Sequence, residues 1–421
     1  MKKARLLAVA LVAGWLASSA VWAAEKHETK GPEIKVPEGE LEKAVENEEG
    51  LKRGGNVGKL HLFGYGEMHY NNKIGSSDDQ IDFHRMVLGI GYDFTENLTF
   101  HSEVDFEHAF KEPELEFAYL DFLTNPAINF RAGSVLVPMG VMNQHHEPPL
   151  FYSVERPEVY RVIIPTSWQE GGAGIFGKLP AGFDYELYAM SSLQAADPGK
   201  VATDPGAEDL GFSGSNGIRD GRKALGETLA KDFAAVGRLQ YKGFPGLRVG
   251  TSAFLGNTGQ GIPGVGGAFL TMVEGDTKYS FQGIDLEGVL AFTNLSDGAA
   301  TSINNVRVAA VPLGGTAFTD FVARQTLGWY LEGAYHLFHH LLPETKKDLV
   351  LFTRYEKFNT QFKMPSAFSA GSDPANDRYT VTTGVSYLPI PQVAIKADYS
   401  FNKNKANTGT DQFNLGIGFY Y

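Results

Sequence analysis

Six charged residues fall within one proline-studded stretch of this chain: Glu147, Glu155, Arg156, Glu158, Arg161 and Glu170. The stretch, residues 134 to 176, reads SVLVPMGVMNQHHEPPLFYSVERPEVYRVIIPTSWQEGGAGIF. Both signs of charge at close spacing could line a narrowing and select ions by field and diameter. Pro138, Pro148, Pro149, Pro157 and Pro165 bar a regular central strand through most of it. Leu150, Phe151, Val154, Val159, Ile163, Ile164 and Trp168 make it too apolar for a solvated loop. Two other chemistries are weaker. His145, His146 and Glu147 offer imidazole and carboxylate to a metal. Neighbours on an extended chain point opposite ways, however, and no H-x-x-x-H spacing accompanies them, so no metal site is expected. His101 and Ser102 adjoin on a strand and face opposite sides, and no G-x-S-x-G is present. No enzyme activity is expected.

The elements around these residues show a period of two from Lys59 to the end, in segments of roughly ten residues. In the terminal segment, Phe413, Leu415, Ile417, Phe419 and Tyr421 alternate with Gln412, Asn414, Gly416, Gly418 and Tyr420. Leu98, Phe100, Val104 and Phe106 alternate with Thr99, His101, Glu103, Asp105 and Glu107. Ile128 and Phe130 stand against Asn129 and Arg131, and Trp329 and Leu331 against Tyr330 and Glu332. Val393, Ile395, Ala397 and Tyr399 stand against Lys396 and Asp398. One face carries aromatics and aliphatics, the other ionisable groups. Lipid outside and water inside account for both.

Short connections at 95–97, 124–127, 244–246 and 388–392 alternate with long polar ones at 71–80, 194–230, 257–267, 296–322 and 361–376. This spacing predicts an all-β fold: a transmembrane antiparallel β-barrel of about 16 strands over residues 59–421, its last strand pairing with its first. A barrel that wide cannot fill itself with wall side chains. The stretch at 134–170 is therefore expected to fold inward as a constriction loop, with packing on the outer rim as the alternative. Arg131, Glu155, Arg156, Arg161, Glu170 and Arg354 are the expected constriction residues. Arg85, Glu103, Asp105, Glu107, Arg238, Glu332, Glu356, Lys396 and Asp398 are expected to face the lumen, either as wall ion pairs or as transport residues.

Of the 421 residues 49 are Gly and none is Cys, which excludes disulfides, thiolate metal sites and Cys-attached haem in this chain. Residues 1–23 read as a cleaved signal peptide: Lys2, Lys3 and Arg5, the apolar run LLAVALVAGWLA, then small residues up to Ala23. Its loss removes three positives from the formal −12, leaving −15, a charge that disfavours nucleic-acid binding. Residues 24–58 carry nine acids and six bases, and read as a charged periplasmic segment with at most a short helix.

The order of F-x-R-M-V-L-G-I-G-Y at 83–92, E-F-A-Y-L-D-F at 116–122 and R-A-G-S-V-L-V-P-M-G at 131–140 resembles the phosphate-selective porin O and P family. V-E-R-P at 154–157, L-F-T-R-Y-E at 351–356 and the aromatic last strand continue the match. The resemblance implies a sixteen-stranded porin, usually a homotrimer, in the outer membrane of a Gram-negative bacterium. It implies passive diffusion of small solutes or ions, with membrane lipid as partner and no cofactor. Phosphate selectivity does not carry over, because the inward positives are interleaved with acids. A second reading is a barrel sheath housing a multihaem partner in an electron conduit, which an inward loop would oppose.

Overall fold

The computed structural model describes residues 57–203, 210–226, 228–311 and 319–421. The expected signal peptide at 1–23 and nearly all of the 24–58 segment lie outside them. Sixteen strands follow in chain order. They are β1 (Leu60–Lys73), β2 (Gln80–Asp93), β3 (Leu98–Glu107), β4 (Glu112–Asn125), β5 (Ile128–Leu136), β6 (Gln169–Leu179), β7 (Phe183–Ser191) and β8 (Phe233–Phe244). The second half comprises β9 (Leu247–Asn257), β10 (Phe269–Phe281), β11 (Ile284–Leu295), β12 (Gln325–His336), β13 (Asp348–Lys363), β14 (Asp377–Ile390), β15 (Val393–Asn404) and β16 (Gln412–Tyr420). Each pairs antiparallel with its sequence neighbours, and β16 closes on β1 with Tyr70 opposite Leu415 and Met68 opposite Ile417. Closure leaves no unpaired edge, which is what a hydrocarbon solvent demands.

The alternation read from the sequence is the alternation of the wall. Leu60, Leu62, Leu120, Phe130, Leu255, Leu331, Phe401 and Ile417 are exposed, while Glu67, Arg85, Asp121, Glu332 and Asp398 are buried. An apolar exterior around a charged interior is the inverse of a water-soluble barrel. One end carries tight turns, such as Gln282–Gly283 with φ 49° and 73°, the mirror-image conformation that matches strand twist. The other end carries the long loops.

Among the described residues, three α-helices interrupt the connections: α1 (Pro198–Thr203), α2 (Asp297–Ala310) and α3 (Leu337–Leu341). The sequence reading missed α2, although its signal was present. Ser296 caps it by accepting from the Ala299 N–H, and an Ala-rich run follows. Ser296→Ala should cost about 1 kcal/mol of local stability, seen as faster amide exchange across α2.

The wall also corrects the bounds of the unusual stretch. Ser134–Leu136 and Gln169–Phe176 are strand, paired as Ser134 with Gly171 and Arg131 with Gly174. The GGAG run at 171–174 offers only the Ala173 methyl to show a period, so pattern alone could not see it. The connecting loop is 137–168.

Candidate functional site

That loop lies inside the barrel. Val137, Met139, Val159, Tyr160, Val162, Ile163, Ile164 and Trp168 are all at most 1% exposed. They pack on inward residues of β7 to β13: Met190, Val236, Phe254, Met272, Val289, Tyr330 and Phe358. Trp168 meets Phe254 at 5.2 Å between centroids, and Tyr160 meets Tyr330 at 6.0 Å. Here the expectation of a polar inner face fails. Seven strands present apolar groups inward because the loop, not water, covers them. A mark of this was legible in β11, where Val289, Leu290, Ala291 and Phe292 run without alternation, as strands buried on both faces do.

Two devices shape the loop. Buried Asn143 ties its two ends together, donating to the carbonyls of Val137 (2.7 Å) and Trp168 (2.9 Å) and accepting from the Trp168 N–H (2.8 Å). Wall glycines then seat it. A Cβ at Gly418 would lie 2.3 Å from the Pro148 Cβ, one at Gly416 3.0 Å from Val154, and one at Gly328 2.7 Å from Ile163.

Polar contacts hold the loop to the wall. His146 Nε2 lies 2.8 Å from Tyr65 Oη on β1 and 3.1 Å from Glu116 on β4. Gln144 donates to Glu186 on β7 (2.8 Å), and the Gly140 N–H to Ser252 on β9 (3.1 Å). Tyr152 donates to Asp285 on β11 (2.6 Å). The Val159 N–H reaches Glu356 on β13 (3.1 Å), and the Val154 N–H reaches Asp398 on β15 (2.6 Å). Lys396 donates to the carbonyls of Pro148 (2.6 Å) and Ser153 (2.8 Å), with its ammonium 3.8 Å from the Phe151 ring centroid. These partners lie all around the circumference, so the loop crosses the lumen. Tyr65, Glu116, Asn143 and Asp285 were not anticipated. Tyr65, Glu116 and Asp285 are single polar residues in alternating strands and Asn143 is one amide within the loop, so nothing local distinguishes them.

The expected constriction residues divide into three groups. Glu155, Arg156 and Arg161 lie on the loop and reach solvent, together with Glu158. Glu155 accepts from Asn71 (2.8 Å) and pairs with His69 (3.2 Å), while Arg161 and Glu158 form a two-bond pair at 3.0 and 2.6 Å. Arg156 donates to Ser167 (3.2 Å). Two arginines from the 192–232 connection close over the same stretch: Arg219 reaches the Thr166 carbonyl at 2.8 Å, and Arg222 reaches it at 3.0 Å. Burial and the charges of Arg222 and Arg161 pull Arg219 down to about 9, the sign of crowded cations.

Glu170 and Arg354 are instead buried within bonding networks. Glu170 accepts from Trp168 Nε1 (3.1 Å) and from Ser191. Arg354 donates to Glu332 (3.0 Å), Glu356 (2.8 Å) and Ser153 of the loop (2.7 Å). Arg131 stands apart, three residues beyond the β4–β5 turn, forked onto Asp121 at 2.8 and 2.9 Å.

The remaining inward residues form ion pairs. Arg85 sits among Glu67 (3.1 Å), Glu107 (3.1 Å) and Asp105 (3.5 Å), and Arg238 sits between Asp276 (2.7 Å) and Glu274 (3.4 Å). His146 joins Glu103 and Glu116 in a group able to hold a metal, without His145 or Glu147.

No family model matches the chain. Solved structures share its fold. OmpT of Vibrio cholerae in its trimer form superposes with a TM-score of 0.52 at 13% identity, over 87% of this chain and all of that one. Salmonella typhi OmpF in complex with daunomycin also gives 0.52 at 13%, over 87% and 98%. The outer membrane channel DcaP of Acinetobacter baumannii gives 0.52 at 9%, over 88% and 99%. At such identities the likeness is one of fold: the closed barrel of outer-membrane channels. A protein of Aquifex aeolicus (strain VF5), described as uncharacterized, is 31% identical over 398 residues, 93% of this chain and 85% of its own length. At that identity and coverage, the chain belongs to the family of this Aquifex protein.

Proposed function

We propose that the protein is an outer-membrane porin of a Gram-negative bacterium, exported by a cleaved signal peptide, homotrimeric, and passing small hydrophilic solutes or ions by passive diffusion. The observation that carries this reading is the loop at 137–168, which crosses the lumen and is bonded to strands on every side. It narrows the bore and carries Glu155, Arg156, Glu158 and Arg161 to water. With Arg219 and Arg222 added, and Asp220 between them counted, four positives stand against three negatives over 155–161 and 219–222, a balance that favours anions at the neck. The resemblance of the motifs at 83–92, 116–122 and 131–140 to the phosphate-selective porins O and P supports the porin reading. A crossing loop argues against a sheath for a multihaem partner, which needs an open bore.

The test is single-channel recording in a planar bilayer under a KCl gradient. Small discrete steps, in groups of three, with an anion-side reversal potential are expected. Arg156→Glu should move that potential toward cations. An unchanged value would remove Arg156 from the conducting path, and a folded barrel giving no steps would sink the porin reading.

A further inference from the structure

The long-loop mouth of β2–β4 carries a cluster of donors that neither the constriction nor the loop anchors use. Asp82 and His84 stand two residues apart at the β1–β2 bulge, Asp82 paired opposite buried His69 and the His84 ring stacked on it. His108 comes from the β3–β4 turn, where His108, Ala109 and Phe110 all take positive φ (49°, 56° and 70°). Such backbone is uncommon outside glycine. It is held by the His108 N–H on the His84 carbonyl and the Ala109 N–H on the Phe83 carbonyl, each at 3.1 Å. The turn thereby brings two imidazoles onto one carboxylate oxygen. His108 Nδ1 lies 2.8 Å from Asp82 Oδ2, and His84 Nδ1 lies 3.3 Å from the same atom.

We propose that Asp82, His84 and His108 bind a borderline divalent cation of the Zn²⁺ or Ni²⁺ class, with Glu107 and Glu112 as supporting carboxylates. Three features carry the assignment. One donor atom from each of Asp82, His84 and His108 falls within 4.8 Å of the others, and Glu107, His108 and Glu112 satisfy the same condition around the shared His108. Ligands about 2.0–2.2 Å from zinc in a tetrahedron are spaced on this scale. Second, the side chains are 27–39% exposed, so an ion can enter from solvent and keep water in its open positions. Third, Glu107 and Glu112 face each other directly across the β3–β4 ladder. Like charges at such positions repel, and a cation between strand and turn relieves this.

Two imidazoles select against Mg²⁺ and Ca²⁺, which prefer all-oxygen shells. Metal on Nδ1 of His84 requires the proton on Nε2, toward Arg85 Nη2 at 3.4 Å. That long contact is the weaker of the two made by Arg85 Nη2, which also holds Glu107 at 3.1 Å. The site therefore loses little by giving it up. The His69 ring stacks on His84 at 4.9 Å and continues the imidazole line inward toward Glu155.

Calorimetric titration of the mature, untagged, refolded protein with ZnCl₂, after chelator treatment, tests this without reference to conductance. One saturable Zn²⁺ per chain is expected, with no isotherm for Mg²⁺. Co²⁺ in its place should give the visible ligand-field bands of mixed nitrogen and oxygen ligation. His84→Ala and His108→Asn should each weaken Zn²⁺ binding by about tenfold or more. Asn tolerates the left-handed turn, so His108→Asn carries the test if His84→Ala does not fold. The double variant His339→Gln/His340→Gln, in α3 at the opposite end, should bind as wild type. Absence of saturable binding overturns the proposal, as does binding indifferent to His108→Asn or abolished by the His339/His340 variant.

Discussion

Gly418→Leu is expected to raise single-channel conductance severalfold while the barrel stays folded. Gly418 faces inward from β16, paired with Glu67 on one side and Ala394 on the other. A Cβ there would overlap the Pro148 ring, at 2.3 Å from its Cβ and 3.3 Å from its Cγ. Pro148 and Pro149 stiffen the loop at this contact, so neither partner yields by a rotamer change. The wall is held by ladders on both edges of β16, whereas the loop is anchored by individual side-chain bonds. The loop should therefore move, taking Val154 and Phe151 from the lumen. Gly333→Leu, on the lipid face beside Leu331, is the control and should leave conductance unchanged. If Gly418→Leu gives wild-type steps, the Pro148 contact does not hold the constriction in place.

Arg354→Met should destabilise the folded barrel by about 3–5 kcal/mol, the cost of leaving buried carboxylates uncompensated. Arg354 is 3% exposed and is bonded to both Glu332 and Glu356. Glu356 also accepts the Val159 N–H, so the loss spreads into the loop. Guanidinium unfolding followed by tryptophan fluorescence reads this directly, because Trp168 is wholly buried against Phe254. The triple variant Arg354→Met/Glu332→Gln/Glu356→Gln should recover most of the difference, since it removes the stranded charges. A change within about 1 kcal/mol for Arg354→Met alone would mean the network is solvated, as surface pairs are.

Much of the barrel is legible in the amino-acid sequence, for a local reason. Lipid on one face and protein or water on the other write a period of two into each strand. Phe413, Leu415 and Ile417 against Asn414, Gly416 and Gly418 show it without reference to any other part of the chain. Turn residues marked the short connections, and together these led to sixteen strands with β16 closing on β1. The inward course of the loop was also readable, because its prolines forbid strand while Phe151, Ile163 and Trp168 require burial.

The partners of the loop were not readable. That Glu170 and Arg354 anchor while Glu155 and Arg161 face water depends on which wall residues stand opposite, and those come from strands remote in sequence, as Lys396 does for Pro148 across 248 positions. The glycines of β16 read as the plain side of an alternating strand until Pro148 and Val154 arrive against them. His108 meets Asp82 only because a left-handed turn, which composition does not announce, folds it back over β2. The sequence by itself determined the wall, since each strand answers to its own solvent. Tertiary structure alone decided the neck and the mouth, where side chains answer to one another.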